Sequence, residues 1–152
     1  MRAWLARGFW TGLVHGGVQV GTSAVEVHSP GAASSVRYIA LGLLVVVGLL
    51  WAALDAWRGL EDRGMVWFFA GLVAGPLAGL VGVVGRSWVD RTGLEALGPA
   101  LTGGAAFTAL LVMATAVVGL AVGGALPQPG EAGSGERRAD GPRPGTTPAG
   151  RS

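Results

Sequence analysis

The pattern of apolar and polar residues contains one uninterrupted apolar stretch, Met65 to Gly85, with the sequence MVWFFAGLVAGPLAGLVGVVG. None of these residues has a charged, amide or hydroxyl side chain. A helix rises about 1.5 Å per residue, so this stretch spans roughly 31 Å, which matches the hydrocarbon layer of a bilayer. A surface helix of a soluble protein would show a polar face at the helical period, and this stretch has none. The pattern therefore predicts a membrane-spanning helix.

Three further apolar runs predict an all-α, integral membrane four-helix bundle with up-down connectivity. In chain order the predicted spans are residues 8–25, 38–54, 65–85 and 100–126. Turn-forming or charged segments separate them, including a loop from Glu26 to Arg37 and another from Gly85 to Pro99. Residues 127–152 are rich in proline, glycine, serine and charge, which predicts a disordered tail after a transmembrane domain of residues 1–126.

The first apolar run has two interpretations. Arg2 and Arg7 precede it, and small residues lie near positions 22–24, as in a cleaved signal peptide. The run is long and rich in glycine, however, and it is interrupted by His15 and Gln19. These features favour a first spanning helix that is held in place by its neighbours.

Aromatic and arginine positions predict how the bundle lies in the membrane. Tyr38 at one end of the second span, with Trp51 and Trp57 at the other, is expected in the interfacial belts. The positive-inside rule favours a multi-pass protein of the cytoplasmic membrane with both termini in the cytoplasm. The arginines then assigned to the cytoplasm are Arg2, Arg7, Arg58, Arg63, Arg137, Arg138, Arg143 and Arg151, and those assigned to the outer loops are Arg37, Arg86 and Arg91.

Composition agrees with this class and excludes several others. The chain is 51% hydrophobic and 13% charged, whereas soluble domains carry about 25% charged residues. Because there is no cysteine, a disulfide framework, a thiolate metal site and a lipoprotein anchor are excluded. The net charge of +2 is too small to indicate a nucleic-acid partner. No catalytic motif or metal-ligand pair is present, so we predict no enzyme activity, no cofactor and no metal.

Glycine is the other compositional signal, with 28 residues. Gly71, Gly75 and Gly79 recur at every fourth position of the third span, where they allow a neighbouring backbone to approach closely. Pro76 follows Gly75 and removes one helical hydrogen bond. The Gly75–Pro76 step is therefore a candidate hinge, with a simple packing kink as the alternative.

The first and third spans share a pattern at an offset of 63 residues. Trp4, Gly8, Gly12 and Gly16 align with Trp67, Gly71, Gly75 and Gly79. An internal duplication would explain this pattern, and the abundance of glycine would explain it equally well. Either way, the predicted helix-packing positions are Gly8, Gly12, Gly16, Gly71 and Gly79.

The first span also carries the candidate chemistry. Gly8, Gly12, His15, Gln19 and Glu26 share one helix face by their spacing. Polar groups are costly in hydrocarbon, so this face should point into the bundle or a wet cavity. In a functional interpretation, histidine carries or senses a proton near neutral pH, the amide binds a polar substrate and the carboxylate holds a cation. In a structural interpretation, the histidine and the amide only hydrogen-bond to neighbouring helices, and the carboxylate is solvated.

One acidic residue lies at the end of the second span. Asp55 is followed three residues later by Arg58, which predicts an ordinary salt bridge at a helix end.

Several motifs together resemble a family of small actinobacterial membrane proteins, the four-helix bacterial transporters of the drug/metabolite type. They are MRAWLARG with LVHGG, LLWAALDAWR and GAAFTALL, and the resemblance covers residues 1 to about 126. It implies movement of small molecules across the inner membrane. Small multidrug exporters, a related group, place a glutamate at mid-membrane in the first helix, whereas the nearest acid here, Glu26, is at the end. This difference argues against proton-coupled cation export.

Two functions follow from the sequence. The first is a small transporter-like protein, a homodimer in the lipid bilayer that rocks around the Gly-Pro break. The second is a scaffold or accessory subunit whose glycine faces bind another membrane protein. The surroundings of His15, Gln19 and Thr108 separate the two. A transporter should line a cavity with them, whereas a scaffold should bury them in direct bonds to neighbouring helices.

Overall fold

A computed structural model of the chain describes residues 3–89 and 94–127, and this part is all-helical with no strand. Its long helices are α1 (Ala3–His28), α2 (Ala33–Trp57), α3 (Arg63–Val89) and α4 (Leu97–Gly124). Helix α4 includes a wider, π-helical segment at Ala100–Gly104. The predicted all-α class is confirmed for these residues. The predicted disordered tail lies outside the described residues, apart from Pro127.

Three helical stretches among the described residues are long and apolar enough to cross a membrane, which is the pattern of a multi-pass membrane protein. They are Pro30–Trp57, Arg63–Val89 and Leu97–Gly124. Helix α1 has 26 residues and is as long as the others, but it is less apolar because His15, Gln19 and several hydroxyl residues interrupt it. A membrane crossing by α1 stays a prediction.

The helices extend beyond the predicted spans except at the end of α4, which stops at Gly124, and the predicted loop from Glu26 to Arg37 is wrong over most of its length. Helix α1 continues to His28, one tight turn follows at Pro30–Ala32, and α2 begins at Ala33. Helix α3 likewise continues to Val89, four residues past the predicted boundary. Hydropathy marks the length that suits hydrocarbon, whereas backbone hydrogen bonding continues a helix into water, so the two boundaries differ.

Gly59 ends α2 and turns the chain back into α3. Its φ of 72° is in the left-handed region that favours glycine. The Gly59 N–H donates to the Ala56 carbonyl (3.1 Å), and the Leu60 N–H donates to the Asp55 carbonyl (3.0 Å), which is the Schellman arrangement. The resulting short connection returns α3 antiparallel to α2, with the start of α3 beside the end of α2.

The helices form a ring in the order α1, α3, α4, α2, and the contact between α1 and α2 is much less extensive than the other three. Helices α1 and α3 are parallel, because Gly8 lies against Ala70 and Gly12 lies against Ala74. Helices α2 and α4 are also parallel, since Gly48 lies against Thr115 and Ala52 lies beside Gly119 further along both helices. We call the end of the bundle where α1 begins and α4 ends the termini end, and the opposite end the far end.

The glycine positions of α1 and α3 contact different partners. A Cβ atom at Gly8 or Gly12 would lie 2.9 Å from a carbonyl oxygen of α3, and Gly16 faces Val81, which is also on α3. Gly71 and Gly79 instead face α4, where a Cβ at Gly79 would lie 2.8 Å from the carbonyl oxygen of Ala100. Each set of small residues therefore lets one helix approach another within the chain.

The candidate hinge lies at this second contact. Gly75 is buried against the backbone of α4 at Ala105, whereas Pro76 is exposed on the outer face of α3. Helix α3 continues through Pro76 to Val89. The π-helical segment of α4 ends directly opposite Gly75, so irregular backbone from both helices meets at this level.

The core lies towards the termini end and centres on Trp67, which is 2% exposed. Trp51 packs edge-on against it, with ring centroids 6.0 Å apart and planes at 87°. Tyr38 and Trp57 are exposed, so their place in the interfacial belts stays a prediction, whereas Trp51 is partly buried against the core. Its position on the inner side of α2 explains the difference, because hydropathy alone does not show which way a tryptophan faces.

Candidate functional site

The least packed contact in the ring, which we call the α1–α2 seam, contains two cavities. The larger has a volume of about 120 Å³ and lies between α1, α2 and α4. The smaller, about 30 Å³, lies between α1 and α2 on the side of the termini end. His15 and Leu44 form part of the wall of both cavities, so the two lie in line along the seam.

His15 is at the middle of the seam and is 7% exposed. Its Nδ1 atom lies 2.9 Å from the carbonyl oxygen of Thr11, one turn earlier in α1. A carbonyl oxygen only accepts, so Nδ1 carries a proton and Nε2 is left as the second functional nitrogen. Among the described residues, no side chain of another helix bonds to either nitrogen. His15 is therefore oriented by its own helix and presented to the cavities.

Gln19, Thr22 and Thr108 provide most of the other polar groups of the larger cavity. Gln19 is half-buried and also lies against Gly82 of α3, where a Cβ atom would come 2.5 Å from the Gln19 Oε1 atom. Within residues 3–89 and 94–127, its amide makes no hydrogen bond to another helix. His15 and Gln19, both predicted from sequence, thus meet at one cavity, and Thr108 joins them from α4.

Glu26 is not part of the cavity wall. It forms an ion pair with Arg37 of α2, and Arg37 is the residue that lines the larger cavity. The two side chains are exposed, at 39% for Glu26 and 66% for Arg37. The predicted shared face of α1 is accordingly divided: the glycines face α3, whereas the polar residues face the seam.

Asp55 pairs with Arg7 of α1 and not with Arg58, so the predicted helix-end salt bridge is wrong. Arg7 donates from Nε to Asp55 Oδ2 (2.7 Å) and from Nη2 to Oδ1 (2.8 Å), and Trp67 Nε1 donates to Oδ2 (3.0 Å). Both partners are largely buried, with side-chain exposures of 16% for Arg7 and 6% for Asp55. The planar guanidinium of Arg7 matches the carboxylate with two parallel bonds. Arg58 directly follows the last residue of α2 and occupies its C-cap position, with the backbone N–H bonded to the helix.

The two ion pairs lie at opposite ends of the seam. Arg7 is one helical turn before Thr11, and Asp55 is one turn beyond Trp51, at the end of the smaller cavity nearer the termini. Glu26 is one turn beyond Thr22, at the other end of the larger cavity. The seam is therefore a row of cavities between two ionic contacts, both of which join α1 to α2.

Sequence reasoning missed these cross-helix pairs, although a signal for them exists. In two antiparallel helices, residues at equal depth have numbers with a nearly constant sum. Matching opposite charges at equal depth on α1 and α2 would have selected Arg7 with Asp55 and Glu26 with Arg37. Spacing along a single helix cannot show this, since it compares a residue only with its own helix.

Within the part of the chain that the structure describes, no group of three histidine, aspartate or glutamate side chains is arranged to hold a metal ion. Comparison with models of protein families and with curated proteins finds no match to this chain.

Proposed function

We propose that this chain is a small transporter-like protein of the cytoplasmic membrane that moves small molecules, with the α1–α2 seam as its path. The observation that carries the proposal is the larger cavity, where His15, Gln19 and Thr108 converge from two helices. As far as the structure describes the chain, His15 and Gln19 make no bond to another helix, and a purely structural role would have produced such bonds.

The size and chemistry of the cavity limit the solute. A volume of about 120 Å³ is close to that of a cavity of about 150 Å³ that accepts benzene. Leucine and phenylalanine side chains, Leu41, Leu44 and Phe107, form much of its wall. The imidazole, the amide and the hydroxyl can each bond one polar group. We infer a solute of a few heavy atoms with an apolar body and one hydrogen-bonding group.

The remaining parts of the proposal come from the sequence. The resemblance to four-helix drug/metabolite transporters supports transport, and the arginine distribution supports cytoplasmic termini. A homodimer is proposed because four helices enclose little space, so a second copy would help to wall the path. In this arrangement α1 crosses the membrane in addition to the three apolar helices, and its buried Thr11, His15 and Ser23 side chains are shielded by the other helices.

The alternative, a scaffold that binds partners through glycine faces, has less support. The glycines that would form such faces, Gly8 and Gly12 on α1 and Gly71 and Gly79 on α3, are covered by helices of the same chain. A partner would therefore need a different surface.

Replacing His15 with alanine is expected to abolish pH-dependent solute flux in proteoliposomes, because, among the side chains of the cavity wall, imidazole is the one type that both binds and releases a proton under mild conditions. His28→Ala is a matched control, since His28 makes the same bond to its own helix, Nδ1 to the Ala24 carbonyl (2.8 Å), but is exposed. Flux is measured for a panel of small amines, acids and alcohols, with empty vesicles as the blank. Unchanged pH dependence in His15→Ala would exclude His15 from the mechanism.

A further inference from the structure

We propose that the seam opens at the far end, by separation of Glu26 from Arg37, while the cluster of Arg7, Asp55 and Trp67 keeps the termini end closed. This inference rests on the proposed function in one respect only, namely that the cavities of the seam are the solute site. Beyond the proposed function, the two ion pairs determine which end of the solute site opens to water first.

The contact at the termini end resists separation for three reasons. It is bidentate, it is largely buried, and its carboxylate accepts a further bond from Trp67 of α3. Separating this ion pair would leave unpaired charges on Arg7 and Asp55 where little water reaches them. Breaking a buried ion pair costs far more free energy than breaking an exposed one. Trp67 is itself 2% exposed and packs against Trp51, so the cluster ties the seam to the core.

The contact at the far end differs in each respect. Glu26 and Arg37 are exposed, so water replaces their mutual bond at little cost once they separate. Both residues are close to the short connection at Pro30–Ala32, and this turn carries no buried residue. Little packing therefore opposes a small outward movement of α2 there.

The larger cavity lies beside the weaker of the two ion pairs, and the smaller cavity lies beside the stronger one. The larger cavity reaches Arg37 directly, whereas the smaller one ends at Trp10 and Trp51, one turn short of the buried cluster. Opening the weak contact would therefore widen the larger cavity at the far end and leave the walls of the smaller one in place.

The native chain has no cysteine, so single cysteines can be placed without a background. Thr22→Cys lies in the larger cavity and Thr11→Cys in the smaller one. With a membrane-impermeant thiol reagent on the full-length protein in proteoliposomes, Thr22→Cys is expected to react at least tenfold faster than Thr11→Cys. Ser34→Cys and Glu61→Cys, both exposed, mark the far end and the termini end and so report which membrane face the reagent enters from.

Variants of the two contacts test their roles. Glu26→Gln is expected to raise the labelling rate of Thr22→Cys and leave that of Thr11→Cys unchanged. Asp55→Asn is expected to make Thr11→Cys reactive from the side of Glu61→Cys. Val112→Cys, at a core position that is 2% exposed, should stay unreactive throughout and reports any general loosening. If Asp55→Asn does not fold, Trp67→Phe, which removes one bond and leaves the ion pair, should give a smaller change in the same direction.

Equal labelling of Thr11→Cys and Thr22→Cys in the otherwise native chain would overturn the inference, as would entry of reagent to Thr22→Cys from the side of Glu61→Cys. These outcomes are separate from a failure of the proposed function. If no solute is transported but the labelling is as expected, transport is contradicted and the opening of the seam is supported. If solute is transported but the labelling is opposite to that expected, transport is supported and the opening of the seam at the far end is contradicted.

Discussion

Replacing Asp55 with alanine is expected to lower the free energy of unfolding by about 3 kcal/mol, the lower end of the range for breaking a buried ion pair. The substitution leaves the Arg7 guanidinium, 16% exposed, beside a buried Trp67 N–H that has also lost its acceptor. The lower end applies because Arg7 keeps some contact with solvent and its remaining bond, from Nη1 to the Ala3 carbonyl (3.2 Å). Unfolding of the purified protein in mixed micelles, followed by helical circular dichroism, measures the change.

The exposed pair at the other end of the seam is the control for this prediction. Glu26→Ala should change the free energy of unfolding by less than about 1 kcal/mol, as is usual for solvated ion pairs. Asp55→Leu combined with Arg7→Leu should recover much of the lost stability, since no unpaired charge remains. Equal losses for Asp55→Ala and Glu26→Ala would show that burial does not distinguish the two contacts.

Gly12→Val is expected to destabilise the bundle by about 2–3 kcal/mol, at the upper part of the range for overpacking. A Cβ atom at this position would lie 2.9 Å from the Ala74 carbonyl oxygen and 3.0 Å from side-chain atoms of Leu77. The carbonyl belongs to the backbone of α3 and cannot rotate away, so α1 would have to move off α3. The same unfolding measurement applies.

Gly17→Val is the matched control, because Gly17 is on the same helix and a Cβ atom there would have no neighbouring atom within 4 Å. It should change stability by less than about 1 kcal/mol, since only helix propensity is altered there. Loss of stability in both variants to the same degree would mean that valine disfavours α1 as a helix and that the contact with α3 is not the cause.

The candidate site was only partly accessible from the sequence. Helical spacing placed His15 and Gln19 on one side of α1, and both line the larger cavity. Asp55 was assigned to a neighbour in its own helix, because spacing along one helix says nothing about what a second helix brings near. Arg7 and Trp67 approach Asp55 only when α1 and α3 pack beside the end of α2.

By itself, the sequence predicted an all-α chain with four spanning helices. The helical class is confirmed for the described residues, and three of their helices are long and apolar enough to span a membrane, since both properties depend on local composition and period. It also contained the small residues that allow close helix contact. Only the tertiary structure decided which helices those residues join, and that α1 and α2 are left with a seam between two unequal ion pairs. The physical reason is that apolar faces and glycines are compatible with several partners, whereas the order of helices in the ring follows from how all four surfaces pack at once.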